Sequence, residues 1–153
     1  MTFAETLATG GVALDLRAAT AEDALQKVAG LLRGDPRVLD WEDVYLSLRK
    51  AVTCLVEEGA DFGVCIPHAR TDAVTAMVMS AGRFDRGVLF QNCALPIRYM
   101  FCIAVPVALA SDYLRIVGLL ARLLRNPATE AELLETSTEN EFVDTLTWLE
   151  AQL

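Results

Sequence analysis

IRYMFCIAVPV, the segment from Ile97 to Val107, is long and almost entirely apolar. Such a run is typical of a β-strand that is buried on both faces of its sheet. A strand of that kind needs helices on both sides, so the segment predicts an α/β fold.

The sequence on either side of this segment supplies further strands and helices. Three more strands are predicted, at Gly11–Leu16, at Gly63–Pro67, where Pro67 ends the pairing, and at Ala73–Phe84 before the turn-like FDRG. Apolar spacing also predicts five helices. The first begins at the Thr20–Asp23 capping-box pattern and stops at Gly34, and the second runs from Asp40 through Val52. The other three run from Ser111 to Leu124, cover Thr129–Glu135, and begin at Ser137. This order of elements contains no linker and no internal repeat, so we expect one domain over residues 1–153.

The composition indicates a protein with an ordinary hydrophobic core. A chain of 153 residues buries about 70% of the surface that its unfolded form exposes, without help from metals or disulfides. Hydrophobic residues make up 54% of the chain, but no uninterrupted run reaches the roughly 18 residues of a membrane span. The start, MTFAETLATGG, lacks the basic and apolar regions of a secretory signal. We therefore expect a cytoplasmic protein.

The charge balance argues against two classes of partner. Thirteen Lys and Arg residues against 21 Asp and Glu residues give a net charge of −8. A chain this acidic repels nucleic acid backbones and anionic lipid surfaces. Direct binding of nucleic acid and membrane insertion are therefore not expected.

The cysteines predict buried reduced thiols. Cys54, Cys65, Cys93 and Cys102 show no CxxC spacing, and the chain has a single histidine to offer a zinc ion. No metal site and no cofactor are expected from this set.

His68, the only histidine, lies in GVCIPHAR at Gly63–Arg70. Pro67 and Ala69 do not shield the ring, which favours a nucleophile presented near a strand end over a hydrogen-bonded structural histidine. Arg70, two residues later, offers a guanidinium for an anionic group, although a solvated surface charge is the common role of a single arginine.

Several familiar chemistries are absent from the sequence. No GxSxG, GxxxxGK[ST] or GxGxxG string occurs. Cys65 and His68 are three residues apart in a strand, so their side chains point to opposite faces. The imidazole itself remains as a covalent acceptor, since a neutral ring nitrogen is nucleophilic near pH 7 and its phosphoramidate keeps a high transfer potential.

GVCIPHAR resembles the active-site segment of fructose/mannitol-type (type 2) enzyme IIA domains of the bacterial phosphotransferase system, a group that includes the nitrogen-regulatory enzyme IIA proteins. The segments Gly82–Phe90, Leu95–Leu124 and Thr136–Glu150 resemble further parts of the same family. The resemblance implies a three-layer α/β/α sandwich with a mixed β-sheet. It also implies that Nε2 of His68 takes a phosphoryl group from the histidine phosphocarrier protein and, in transport systems, passes it to a cysteine of an enzyme IIB domain.

The sequence departs from the family pattern at three places. EEGADFG at 57–63 replaces a glycine-rich stretch like STGIGNG, with Phe62 where asparagine is common. A family arginine falls on Val52 by ungapped counting, with Arg49 nearby, and the family's second histidine is Tyr113. A tyrosine hydroxyl can donate a hydrogen bond to a phosphoryl oxygen but carries no positive charge. Loss of two supporting groups is expected to slow transfer on the order of 10² to 10⁴-fold.

The sequence thus predicts a phosphohistidine carrier with His68 as the catalytic residue. Support for the phosphoryl group is expected from the amides of Gly63 and Ala69 and from the side chains of Arg70, Tyr113 and Arg49. The absence of a fused enzyme IIB or membrane domain favours nitrogen-related regulation slightly over sugar transport, with a regulatory target in place of enzyme IIB. Two alternatives are a protein-binding regulatory module that has lost phosphotransfer and a redox protein that uses Cys65.

Overall fold

The apolar segment forms strand β5, Ile97–Val105, in the middle of a mixed sheet in the computed structural model. The structure describes residues 2–57 and 59–153. The remaining strands are β1 (Leu7–Ala13), β2 (Val52–Leu55), β3 (Gly63–Arg70) and β4 (Val78–Val88). Across the sheet the order is β1-β4-β5-β3-β2. The β1–β4 and β3–β5 pairs are parallel, and the β4–β5 and β2–β3 pairs are antiparallel.

Helices cover both faces of this sheet, as its central strand requires. The helices are α1 (Phe3–Thr6), α2 (Ala21–Gly30), α3 (Trp41–Lys50), α4 (Ala110–Leu124), α5 (Pro127–Leu134) and α6 (Glu139–Ala151), with a 3₁₀ turn at Val107–Leu109. One core cluster lies between the sheet and α2 and α3, which we call the α2–α3 face. A second cluster lies between the sheet and α4, α5 and α6, the α4–α6 face. The predicted three-layer α/β/α sandwich is confirmed. None of the helices in the described residues is long and apolar enough to span a bilayer.

Short polar side chains begin the helices close to where the sequence predicts them. Thr20 Oγ1 accepts a hydrogen bond of 3.1 Å from the Asp23 amide, but the reciprocal half of a capping box is not formed. Gly34, with φ of +91°, follows α2 in the left-handed region that favours glycine. The last helix is capped by Thr138, one residue after the predicted Ser137.

Several predicted strand boundaries are wrong, each for a local backbone reason. Strand β1 lies earlier than Gly11–Leu16 because Asp15, with φ of 51°, breaks it. Strand β4 begins after the predicted Ala73 and continues through FDRG, where Gly87 at φ of +75° allows an irregularity in the pairing instead of a turn. Strand β5 ends at Val105, because Pro106 starts the 3₁₀ turn.

The helix predicted through Val52 ends at Lys50, and Val52 begins β2, an edge strand missed by the sequence prediction. Strand β3 likewise extends beyond the predicted Pro67 to Arg70. Pairing with β5 resumes at His68, opposite Ile103.

The cysteine prediction is half wrong. Cys65 and Cys102 are buried free thiols, as expected. Cys54 in β2 and Cys93 after β4 form a disulfide, with their Cα atoms 5.8 Å apart. Their separation of 39 positions in the sequence gives no signal for the pairing, which depends on the missed strand β2.

Candidate active site

His68 projects from β3 onto the α4–α6 face, near the carboxyl end of the strand. Its neighbours at even positions, Val64 and Ile66, belong to the core cluster of that face, whereas Cys65 and Ala69 belong to the cluster of the α2–α3 face. The side chain of His68 is partly exposed. The ring is therefore held by the sheet and remains reachable from solvent.

Two hydrogen bonds fix the residue and its tautomer. The His68 amide donates to the carbonyl of Ala51 at 2.9 Å. Nδ1 of the ring lies 3.1 Å from the carbonyl oxygen of Ile66. Because a carbonyl oxygen can only accept, Nδ1 carries the hydrogen in this bond. In the neutral imidazole this leaves Nε2 with an unshared electron pair, which is the nucleophilic nitrogen.

Tyr113 packs against the imidazole from the first turn of α4. The centroids of the two rings are 5.2 Å apart and their planes differ by 32°. Burial raises the pKa of the Tyr113 hydroxyl, which keeps it protonated and able to donate near neutral pH. The same contact brings the amino-terminal end of α4 beside the ring, and Leu109 at the N-cap position contributes no side-chain cap. A helix N-terminus favours negative charge.

The charged groups near His68 are of both signs. Arg70 lies on the same face of β3, is exposed, and makes no ion pair within residues 2–57 and 59–153. Asp72 accepts a hydrogen bond of 3.2 Å from the Val107 amide and so joins the end of β3 to the 3₁₀ turn before α4. Asp112 lies in the first turn of α4. Arg70 is thus an exposed cation on the strand face that carries His68.

A family model described as "Phosphoenolpyruvate-dependent sugar phosphotransferase system, EIIA 2" matches residues 5–148. The chain belongs to this EIIA family. The fructose-specific EIIA component of Haloferax volcanii is 31% identical over 139 residues, covering 88% of each chain.

Two solved structures share the fold of this EIIA chain. Nitrogen regulatory protein IIA-Ntr from Neisseria meningitidis superposes with a TM-score of 0.80 at 22% identity, covering 94% of this chain and 97% of its own. The mannitol enzyme IIA of Escherichia coli, solved in a complex with phosphorylated enzyme IIB, gives a TM-score of 0.71 at 18% identity, with coverage of 92% and 97%. At these identities the likeness shows the fold alone.

The amides of Gly63 and Ala69, predicted to support a phosphoryl group in this EIIA chain, do not point toward the His68 ring. Gly63 is at the far end of β3, about 16 Å from His68 at the usual rise per residue, and its amide donates to the Pro96 carbonyl at 2.9 Å. The amides of His68 and Thr71 point to Ala51 and Val105, on opposite sides of β3. Strand alternation therefore turns the Ala69 amide toward β5 and away from the ring.

Arg49, the other predicted support, is also not brought to the imidazole. It lies in the last turn of α3 on the α2–α3 face, where its guanidinium pairs with Glu22 at 3.3 Å. Val52, at the family's arginine position, lies opposite Pro67 and packs on the same α2–α3 face. The prediction that Arg49 reaches the site is therefore not met by this geometry.

The unusual Phe62 lies away from His68, at the start of β3. The guanidinium of Arg98 stacks on the Phe62 ring with its carbon 3.6 Å from the ring centroid. A Cβ added at Gly87 would lie 2.8 Å from the same ring, so glycine is required for this contact. Phe62 and Arg98 border a cavity of about 500 Å³ at the end of β3 opposite the imidazole. Phe62 is thus packed against Arg98 and Gly87, at the other end of β3 from His68.

Cys65 is unsuited to the redox role considered above. It is fully buried on the opposite face of β3 from His68, and burial raises the pKa of its thiol to about 12. A thiol in this environment is not ionised near neutral pH and does not react readily.

No sequence pattern pointed to the Ile66 carbonyl, Asp72 or the start of α4. A backbone carbonyl carries no signal in the sequence, because every residue has one. Asp72 and the α4 terminus depend on how the carboxyl ends of β3 and β5 meet.

Proposed function

We propose that this EIIA chain is a phosphohistidine carrier that accepts a phosphoryl group on Nε2 of His68. The donor is the histidine phosphocarrier protein of the phosphotransferase system, and the acceptor is a cysteine of an enzyme IIB domain. The single observation that carries the proposal is the bond from Nδ1 of His68 to the Ile66 carbonyl. It leaves Nε2 as the nucleophile in the only imidazole of the chain.

The transfer of the phosphoryl group to His68 needs no external base to remove a proton. The Nε2 electron pair forms a bond to phosphorus while the phosphorus–nitrogen bond of the donor breaks, and its electron pair returns to the donor's ring. Nε2 has no proton to lose, and the positive charge that develops on His68 is stabilised at Nδ1–H by the Ile66 carbonyl. Transfer to a thiolate reverses these steps on His68.

The phosphoryl oxygens would be bound by groups that surround the ring. Arg70 supplies positive charge, the Tyr113 hydroxyl supplies a hydrogen bond, and the amino-terminal end of α4 supplies a favourable dipole. Phosphoryl transfer depends mainly on such positioning and on charge stabilisation. Tyr113 in place of a histidine leaves Arg70 as the cation of the site.

Donor and acceptor must approach the same face, because one nitrogen serves both. Val107 and Leu114, 48% and 68% exposed, lie beside this face on the 3₁₀ turn and on α4. The Escherichia coli mannitol enzyme IIA in complex with phosphorylated enzyme IIB supports an acceptor of this class. The fructose-specific relative favours sugar transport over nitrogen regulation. This role places the protein in the cytoplasm.

Intact mass at neutral to alkaline pH tests the proposal. The protein is mixed with phosphoenolpyruvate, enzyme I and the histidine phosphocarrier protein from the same organism. We expect one phosphoryl group to be gained, to be lost in acid, and to be absent from His68→Ala and the near-isosteric His68→Gln. A folded wild-type protein that gains no mass, or a variant that gains it, would show the proposal to be wrong.

A further inference from the structure

The Cys54–Cys93 disulfide is accessible, unlike the other two cysteines. Cys54 and Cys93 are both partly exposed, whereas Cys65 and Cys102 are fully buried. The Cα separation of 5.8 Å lies within the usual range for a disulfide. An oxidant or reductant in solution therefore meets one pair of sulfur atoms in this chain and not the other.

The disulfide attaches the edge of the sheet to a loop. Strand β2 has four residues and, within the described chain, pairs with β3 alone. Cys93 lies in the connection between β4 and β5, where its amide donates to the Phe90 carbonyl at 3.2 Å. Because edge strands this short are held weakly, a covalent link matters here more than it would in the middle of the sheet.

A cavity gives reagents a route to the sulfur atoms. It has a volume of about 590 Å³ and lies between the start of α2, Arg49 and the segment 89–93. Both cysteines line it, and Leu89 at its border is 73% exposed. A small dithiol fits in a space of this size.

The linked strand leads directly to the candidate site. Ala51, the residue before β2, accepts the hydrogen bond from the His68 amide. Strand β2 also pairs with the residues that precede His68, Pro67 opposite Val52 and Ile66 opposite Thr53. Ile66 is the residue whose carbonyl holds Nδ1 of the ring.

We propose that Cys54 and Cys93 form a reversible dithiol–disulfide pair that controls how firmly β2 holds the His68 strand. A thiolate of an external dithiol attacks one sulfur of the disulfide, the Cys54–Cys93 bond breaks, and the other cysteine leaves as a thiolate. The second thiol of the reagent then displaces the first cysteine. The reagent is oxidised to its disulfide, and two electrons and two protons reach the protein. A small-molecule or protein disulfide reverses the reaction.

The effect on phosphotransfer rests on the function proposed above. In the disulfide form, β2 is held by its hydrogen bonds to β3 and by the bond between Cys54 and Cys93. In the dithiol form, β2 separates from β3 more often, and the hydrogen bond from the His68 amide to the Ala51 carbonyl breaks with it. We expect amide exchange at residues 52–55 to be at least about tenfold faster in the dithiol form. Phosphorylation of His68 is expected to be about two- to tenfold slower, because the ring is less well positioned.

The test compares oxidised and dithiol-treated wild-type protein, each trapped with iodoacetamide and analysed by peptide mass. Reduction is expected to expose Cys54 and Cys93 to alkylation, while Cys65 and Cys102 stay unlabelled and report that the fold is intact. Hydrogen exchange is measured on the same samples. The double variant Cys54→Ser/Cys93→Ser should match the reduced protein and ignore the redox state. If the variant does not fold, the reduced wild type provides the comparison.

Three results would overturn the inference. One is alkylation of Cys54 and Cys93 in the oxidant-treated protein, which would mean that no disulfide forms. A second is labelling of Cys65 together with the pair, which would mean that reduction requires unfolding. The third is equal exchange at residues 52–55 in the two forms. A failure of both forms to become phosphorylated would instead contradict the proposed function, and labelling and exchange would still decide the redox inference.

Discussion

At the scale of single residues, the properties of the site follow from what His68 touches. The Ile66 carbonyl selects the tautomer, and the Tyr113 ring closes one side of the imidazole. Neither contact supplies positive charge. Under the proposed function, the Tyr113 hydroxyl and the exposed Arg70 would therefore take on tasks that phosphate sites often give to several cations.

Removal of the Tyr113 hydroxyl tests its contribution. Tyr113→Phe keeps the ring that packs on His68 and removes the donor, so the fold should be unchanged. We expect the single-turnover rate of phosphorylation to fall about tenfold, the worth of one hydrogen bond to a charged group. Quench-flow with mass detection measures this rate. A rate equal to that of the wild type would show that the hydroxyl does not touch the phosphoryl group.

Arg70 is tested against an arginine on the same molecule. Arg70→Ala should slow phosphorylation about tenfold or more, because a guanidinium near a phosphoryl group stabilises its charge. Arg122→Ala, which removes an exposed arginine near the carboxyl end of α4, is the matched control and should leave the rate unchanged. Equal effects of the two variants would mean that Arg70 acts only through net charge.

At the scale of elements, two arginines join parts of the fold that are distant in sequence. Arg83, 4% exposed, donates from β4 to the carbonyls of Leu133 and Thr136, each at 2.8 Å. Arg37 donates to the carbonyls of Glu5 and Met77, at 3.0 and 3.1 Å, and pairs with Asp35. These bonds connect helices to strand ends, and each places a buried or half-buried charge against several acceptors.

Acid should weaken the interaction between Arg37 and Asp35. The hydrogen bond from Arg37 holds the pKa of the Asp35 carboxyl below its ordinary value. A carboxyl whose pKa is lowered by folding stabilises the protein above its unfolded pKa, and that stability is lost as the pH falls through the folded pKa. Asp35→Asn should therefore cost about 1 to 3 kcal/mol of unfolding free energy at pH 7, and the difference from wild type should shrink as the pH falls below about 4.

Denaturant unfolding at a series of pH values measures this difference. Asp23→Asn, in the exposed pair with Lys27, is the control and should cost less than about 1 kcal/mol at any pH. A difference for Asp35→Asn that stays constant down to pH 2 would contradict the pKa argument.

At the scale of the whole molecule, the net charge of −8 should make the thermal stability depend on salt. Repulsion among like charges destabilises the compact state, and salt screens it. We expect the melting temperature to rise by a few degrees with added KCl, mostly below about 0.5 M, where the screening length becomes shorter than the spacing of surface charges. Differential scanning calorimetry measures the change. A melting temperature that falls with salt would show that ion pairs such as Arg37–Asp35 outweigh the repulsion.

The sequence predicts the central strand and the helices of this molecule better than the short edge strand and the contacts between elements. The apolar run at β5 and the amphipathic helices carry strong local patterns, and they are found where they were expected. Strand β2 was missed because four residues at a sheet edge, VTCL, are too few to show a period. The Cys54–Cys93 pairing was missed with it. The structure places Tyr113 beside His68, and the roles of these two residues in phosphotransfer stay predictions. Gly63 and Arg49 point elsewhere, because strand direction and helix face cannot be seen from spacing alone.

The proposed function depends above all on Nε2 of His68 being the nitrogen that is phosphorylated. With one histidine in the chain, labelling all histidine with ¹⁵N gives just two ring nitrogen signals. Phosphorylation through the histidine phosphocarrier protein, followed by NMR, reports which nitrogen acquires a direct coupling to ³¹P. We predict that coupling appears at Nε2, while Nδ1 keeps its proton. Coupling at Nδ1, or none in a protein that shows both ring signals, would contradict phosphorylation at Nε2.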